Sequence, residues 1–490
     1  WLHTNHDGSQ DENDRDNDQV LLDFFAPFAG PDPAAVTGST RLIAINEGRL
    51  VDFLSTHEER FGWLAQTLRD GLRGAKSGDG VLVVNLNRRS VVADEDELNK
   101  SIFDRMLLRM ADPAFWEACE SCELAATCYA LHNARTISHP DAGPKVIRRL
   151  KELYTLTHLR GRMHITIRDL RSALAYMFTS GRSCEQIHDL YRGDNLEEIL
   201  DGFYFNSWAG KPGTRDRLLR LLREVVAANV PEPALDRQID YIGPDAGQAV
   251  MTVDNRGRYD VELLTRLFER LPRSTAPTSD QIARHRRYLA AARRRFFFEC
   301  VDENRARRLL PYQTGRSFIE LLNRPEEVPQ YLPKVLEAIN RGEGLPSPDR
   351  LGNVLALQVR QVPGGTIRSY RLLPANSFTL SVNKAEPSPY LEQQPDGLIL
   401  TYHGDGGQVA RLHIRLDLFE LLHRLRSGCV PGVAELQGLY LGLTIFKNEL
   451  SAAPYQEVLL TTGGHELRQI RREDDGRLIM RVIEGGGEER

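Results

Sequence analysis

The chain has 490 residues, 41% of them hydrophobic and 27% charged, ordinary values for a soluble globular protein with sizeable cores and about three domains. No run of about 18 apolar residues occurs, which excludes a helical membrane span, and the net charge of −5 argues against wholesale coating of nucleic acid while leaving local patches open. Six cysteines and no hydrophobic opening segment exclude a small secreted disulfide scaffold and point to a reducing, cytoplasmic setting.

The chain opens on Trp1 rather than Met, as expected of a piece of a longer protein or a processed product. Residues 1–19 include Asp7, Asp11, Glu12, Asp14, Asp16 and Asp18 and read as a flexible acidic segment. A calcium loop is the competing reading, but the middle Gly and closing Glu of such a loop are missing. From Arg41 to Asn46 a short apolar run ends in an amide, as a buried parallel strand does. Leu50, Phe53, Leu54, Phe61, Leu64, Leu68 and Leu72 then recur at helical spacing, and residues 80–85 predict a second buried strand. Strand, helix and strand make a βαβ unit, so residues 20–93 are expected to hold a partial parallel sheet.

Residues 94–192 read as wholly helical, with apolar stripes at Ile102, Met106, Leu107 and Met110, at Ile147, Leu150, Leu153 and Leu156, and at Leu170, Leu174, Met177 and Phe178. A further helical region, 193–345, carries a long basic helix over about 281–310 and ends among Pro311, Pro325, Pro329 and Pro333. From 346 to 490 the period shifts toward two. Strands are predicted at 354–359, 367–372, 378–382, 398–402 and 410–416, helices at 416–425 and 433–450, and a closing meander at 457–461, 466–470 and 478–483. The expected fold class is α/β plus α-helical and β-rich regions: a partial parallel sheet, two helical regions and a C-terminal mixed β/α domain.

The sharpest chemical signal is Cys119, Cys122 and Cys128 with His132 a turn beyond, a C-x2-C-x5-C-x3-H spacing. Thiolates are soft ligands for zinc or an iron-sulfur cluster, and a C-x2-C pair can place two sulfurs on one ion with little strain. The fourth ligand is open between His132 and Cys184, which could arrive from a neighbouring helix. Three cysteines with a histidine, or four cysteines, leave no open coordination position, the mark of a structural zinc; an iron-sulfur cluster is the alternative. The competing reading packs Cys119 and Cys122 as small apolar residues in a helix beginning near Phe115 and Trp116, with His132 an ordinary helix-surface residue.

Asn46 and Asn85 each end a predicted parallel strand, where open α/β sheets bind ligands. Further on, Thr166 can cap a helix that has Arg168 in its first turn, a position electrostatically unfavourable for a cation unless it meets an anion. Together, Arg41 to Asn46 and Thr166 to Leu170 resemble the C-terminal half of a AAA+-type P-loop ATPase. The resemblance spans about residues 20–190 and implies that Asn46 is the sensor that orients the attacking water. It implies too that residues 94–192 are a helical lid and that Arg168 is the sensor contacting nucleotide phosphates. Arg88 or Arg89 would then be a finger reaching a neighbouring subunit. ATP and Mg2+ would be the cofactors, a homo-oligomer or a partner protein the assembly, and a bacterial stress or defence system the setting. No G-x4-G-K-[ST] loop and no apolar run ending Asp-Glu occurs in the chain, so those parts would have to lie upstream.

Arg284, Arg286, Arg287, Arg293, Arg294, Arg295, Arg305, Arg307 and Arg308 lie among Tyr288 and Phe296 to Phe298, a possible phosphate-backbone contact with aromatics for stacking. The competing reading makes the aromatics core and the arginines a face paired with Glu299, Asp302 and Glu303. The alternative to the ATPase is thus a non-enzymatic, metal-stapled module that binds nucleic acid or protein through Arg284 to Arg308. No His-Glu-x-x-His, zinc-deaminase motif or Gly-x-Ser-x-Gly elbow occurs.

Overall fold

Two short strands, β1 (Leu2–Asn5) and β2 (Thr40–Ile43), pair in parallel in the computed structural model. The ladder continues beyond β2 through the Ala44 amide, which donates to the Asn5 carbonyl at 3.0 Å. Helices Asn17–Phe25, Glu47–Thr56 and Glu58–Arg73 cover one face of this pair, burying Leu21, Phe25, Phe53, Leu54, Phe61 and Leu64. The spacing of these residues, three and four apart, is what places them on common helix faces. The structure describes all residues except 1, 13, 31–37, 39, 74–79, 95–99, 162, 208–215, 226–229, 245–258, 270–276, 301, 346–347, 352, 361–366, 384–389, 405–406, 430–432, 463–465, 474 and 484–490.

Two expectations change here. Residues 81–85 make no strand ladder. Val81 and Val83 do pack against the same core while Leu82 and Val84 stay exposed, so the segment keeps the alternation of a strand. It lies so close to helix Glu58–Arg73 that a Cβ on Gly71 would come within 2.6 Å of the Val83 side chain. The acidic segment is also more ordered than its composition suggests. Buried Asn17 donates through Nδ2 to the Gly8 and Gln10 carbonyls, both at 2.9 Å, and accepts from Arg49 Nε at 2.6 Å, tying the turn to helix Glu47–Thr56. One buried amide thereby replaces the apolar anchors the segment lacks.

The chain divides into two units, residues 1–90 with 385–393, and residues 91–384 with 394–490. The three regions expected after residue 93 fall within one unit, where one apolar cluster runs from Val91 to Ala453. Its helical part includes Ile102–Met110, Tyr129–Ser138, Gly143–Leu159, Ile167–Thr179 and Cys184–Arg192. Buried Asn133 sutures several of these. Its amide donates to the carbonyls of Met177, Phe178 and Gly202 at 2.9 to 3.1 Å, and its oxygen accepts from the Tyr204 amide at 2.7 Å.

The basic helix runs Ser279–Glu299, shorter than the sequence suggests. Buried Arg149 donates to the Phe297 carbonyl at 2.6 Å and to that of Cys300, satisfying acceptors that a helix end leaves unpaired. The C-terminal region forms two antiparallel sheets from β3 (Val354–Arg360), β4 (Ile367–Pro374), β5 (Phe378–Val382), β6 (Leu398–His403), β7 (Val409–Ile414), β8 (Glu457–Thr462), β9 (Glu466–Arg472) and β10 (Leu478–Ile483). One sheet has the order β10-β9-β8-β4-β3 and the other β5-β6-β7. Helices Leu416–Arg426 and Val433–Leu450 separate β7 from β8, as the periodicity predicts. Among the described residues no helix is long and apolar enough to cross a membrane.

Candidate functional site

The cysteine segment is built from tight turns rather than one helix. Asp112 caps a short 3-10 turn, Trp116 anchors it by donating from Nε1 to the Met110 carbonyl at 2.9 Å, and one helical turn follows at Glu117–Glu120. The Cys122 amide donates to the Cys119 carbonyl at 3.2 Å and the Cys128 amide to the Leu124 carbonyl at 2.7 Å, which folds the segment back on itself. Cys128 then stands at the N-cap of helix Tyr129–Ser138.

Helix Cys184–Arg192 supplies the other wall. A capping box between Ser183 and Gln186 starts it, and Cys184, His188 and Tyr191 follow at i, i+4 and i+7 on one face. Two of the three touch the cysteine segment. His188 Nε2 lies 3.3 Å from the Cys122 sulfur, while its Nδ1 lies 3.0 Å from Glu123 Oε1. The Tyr191 hydroxyl accepts from the Tyr129 amide at 2.9 Å and donates to the Thr127 carbonyl at 2.6 Å.

Cys119, Cys122 and Cys128 are half-buried and Cys184 is exposed, so none is an inert core thiol; Cys300 is the buried one. Burial pushes the Cys119 thiol up, and negative charge at Cys184 and Cys122 pushes it further. Burial does the same to Cys128, opposed by the first-turn amides of Leu131 and Ala130, with Cys119 and Cys122 adding to the rise. Cys119 thus feels Cys184 and Cys122, with Arg135 opposing, and Cys128 feels Cys119 and Cys122. Among the described residues no group of three or more His, Cys, Asp or Glu side chains is arranged to hold a single metal ion. His132 turns to the aromatic core, its ring 5.2 Å from Phe203 edge-on and 6.5 Å from Tyr204. As a donor set, four thiols with one imidazole suit a soft or borderline metal centre.

A second cluster lies in the first unit, where the chain leaves β1, β2 and the 81–85 segment. The Asn5 side chain accepts from the Asp7 amide at 3.0 Å, Asn46 accepts from the Gly48 amide at 2.9 Å as N-cap of its helix, and Asn85 accepts from the Asn87 amide at 3.0 Å. Glu47 joins two of these ends, accepting from Asn87 Nδ2 at 2.6 Å and more distantly from Asn85 Nδ2. Arg88 donates to the Leu72 carbonyl at 3.0 Å, and Arg89 pairs with Glu392 at 2.7 Å. Arg168 is exposed in the first turn of helix Ile167–Thr179, behind a capping box of Thr166 and Asp169, and belongs to the other unit.

The arginine helix is turned largely inward. Arg284 and Arg287 meet Glu197, Arg287 also meets Asp201, Arg293 meets Asp236, and Arg307 meets Glu152. Arg295 and Glu299 pair at 3.0 Å with both side chains buried. Burial pushes Arg294 down to about 10, and its guanidinium contacts Asn206. Tyr288 and Phe296 to Phe298 are core. Arg286 and Arg308 are the exposed members.

Neither a family model, nor a curated protein, nor a solved structure matches the chain. The residues that sequence reasoning passes over are His188 and Glu123. The available signal is the i, i+4 spacing of Cys184 and His188, which puts both on one helix face.

Proposed function

We propose that residues 1–90 form the C-terminal part of a AAA+-type P-loop core, and that the second unit responds to its nucleotide state. The observation that carries this reading is the gathering of Asn5, Asn46, Glu47, Asn85 and Asn87 where parallel and strand-like segments end. That edge is where open α/β sheets bind ligands. Supporting it, Leu2 and Leu42 on the sheet stay exposed, as do Leu82 and Val84 on the 81–85 segment, although parallel sheets ordinarily bury both faces. A further layer, with the phosphate loop and magnesium ligands, would come from outside these 490 residues.

In this reading Asn46 Oδ1 is spent on capping its helix, which leaves the Nδ2 amide to orient a water, and Arg168 meets phosphate. Arg89 would serve as a finger only after releasing Glu392. The test is ATP turnover by the protein as isolated from its source cells. Asn46→Asp keeps a capping oxygen but removes the amide donor, and turnover is expected to fall roughly 100-fold. Arg168→Ala is expected to weaken nucleotide binding. Turnover and affinity unchanged in both variants would overturn the assignment.

A further inference from the structure

We propose that Cys119, Cys122, Cys128 and Cys184 ligate a [4Fe–4S] cluster, with His188 held by Glu123 to hydrogen-bond the Cys122 sulfur. The proposal stands independently of any nucleotide reading, because every group in it belongs to the second unit.

Three observations lead to it. The first is which cysteine completes the set. Helix Cys184–Arg192 lies against the cysteine segment through His188 on Cys122 and Tyr191 on Thr127 and Tyr129. Cys184 is one turn before His188 on that same face, so the helix that touches the segment also presents a fourth thiol to it. His132, the nearer candidate in sequence, is turned to Phe203 and Tyr204.

The second observation is the distribution of ligands along the chain. Three cysteines lie within ten residues and the fourth follows 56 residues after Cys128. Structural zinc sites are commonly built from two separated pairs, whereas three clustered cysteines with one remote are an iron-sulfur layout. A cubane gives each of its four irons one protein thiolate, so the sulfurs must surround a volume rather than meet at a point.

The third is the charge balance around the thiols. Cluster assembly takes ferrous and ferric iron in equal parts with sulfide, which gives the [4Fe–4S]2+ state with no net transfer of electrons, and each thiol loses its proton to solvent as its sulfur–iron bond forms. The anionic product would face the N-terminus of helix Tyr129–Ser138 at Cys128, whose first-turn amides favour negative charge. The His188 contact sets a ring nitrogen against a ligand sulfur, and polar contacts at the sulfurs are one of the means by which proteins set cluster potentials. Glu123 at Nδ1 fixes the ring in the orientation that aims Nε2 at the sulfur.

The experiment is anaerobic reconstitution of the 490-residue chain with equal parts of ferrous and ferric iron and with sulfide, followed by metal and sulfide analysis, absorption and electron paramagnetic resonance spectra. The expected result is about four irons and four sulfides per chain, with a broad absorption band that bleaches on reduction. Cys184→Ser is expected to lose most of the iron while His132→Ala and Cys429→Ser keep it. Since Cys184 is exposed, its replacement leaves the core intact, and far-ultraviolet circular dichroism of the variant checks this. His188→Leu should keep the cluster and shift its midpoint potential, with His188→Gln restoring part of the shift. A chain that takes up zinc alone, or no metal, would overturn the proposal, as would full iron loading in Cys184→Ser. An unmoved potential in His188→Leu would remove the role given to His188.

Discussion

Helix Ser279–Glu299 and the segment 119–128 each concentrate one kind of reactive side chain, and their surroundings treat them in opposite ways. The guanidiniums of the helix meet Glu197, Asp201, Asp236 and Glu299, partners supplied by the same unit. The thiols of the segment meet one another, an imidazole and the end of a helix, and the cation that acts on Cys119, Arg135, is already paired with Glu120 at 2.6 Å. A dense run of one residue type therefore says little until its partners are known. Arginines already matched by carboxylates stabilise the fold, whereas thiols gathered mainly against one another point outward to a ligand.

The comparison breaks most sharply at Arg295. If the arginines serve the fold, Arg295→Met leaves Glu299 buried without its cation and costs about 3–5 kcal/mol in urea unfolding. Adding Glu299→Gln should recover most of that loss, because the neutral amide can still accept from the Tyr204 hydroxyl, now 3.2 Å from Glu299. A single variant as stable as the parent would return the arginines to a ligand-binding role. Next in size is Asn133→Leu. It leaves the Tyr204 amide and three carbonyls without their side-chain partner and should cost about 2–3 kcal/mol by the same measurement.

How much of this was legible in the sequence depended on whether the deciding partner was local. The C-terminal strands and helices could be read because alternation and helical spacing are written within each segment, as in β6, where Leu398 and Leu400 are buried. The segment 81–85 has the same alternation, yet a strand also needs a neighbour, and no local pattern reports that. The cysteine cluster was visible, but its fourth member was not settled, since His132 and Cys184 differ only in which way a helix face turns. The inward turn of the arginines was beyond local reading as well: Asp236 lies 57 residues from Arg293, and Glu197 lies 90 from Arg287.

A smaller effect concerns protons at another buried basic group. Burial pushes His158 down from its ordinary value of 6.5, with Arg415 and His164 pushing the same way and Asp396 opposing. Its Nε2 has no hydrogen-bond partner. The unfolded chain then takes up a proton as the pH falls through 6.5 while the folded chain resists. Stability present above that pH is lost below it, by at most about 1.4 kcal/mol per pH unit. His158→Phe should flatten the difference between urea midpoints measured at pH 7.5 and pH 5.5, leaving the part due to His164, which burial also pushes down. An undiminished slope would mean that His158 is protonated in the fold and that this basic group, too, has found an acidic partner.

The gentlest probe compares thiols rather than stabilities. In the metal-free chain Cys184 and Cys429 are exposed and should react first with a thiol reagent. Cys119 and Cys128 should follow more slowly, because burial raises their pKa values and lowers the fraction present as thiolate. Reconstitution with iron and sulfide should then protect Cys184 and leave Cys429 as reactive as before. Protection of both would indicate a general loss of access, and protection of neither would mean that the cysteine wall, like the arginine helix, is complete without a ligand. Protection of Cys184 but not of Cys429 separates a thiol that is exposed because it is surplus from one that is exposed because its partner is a metal.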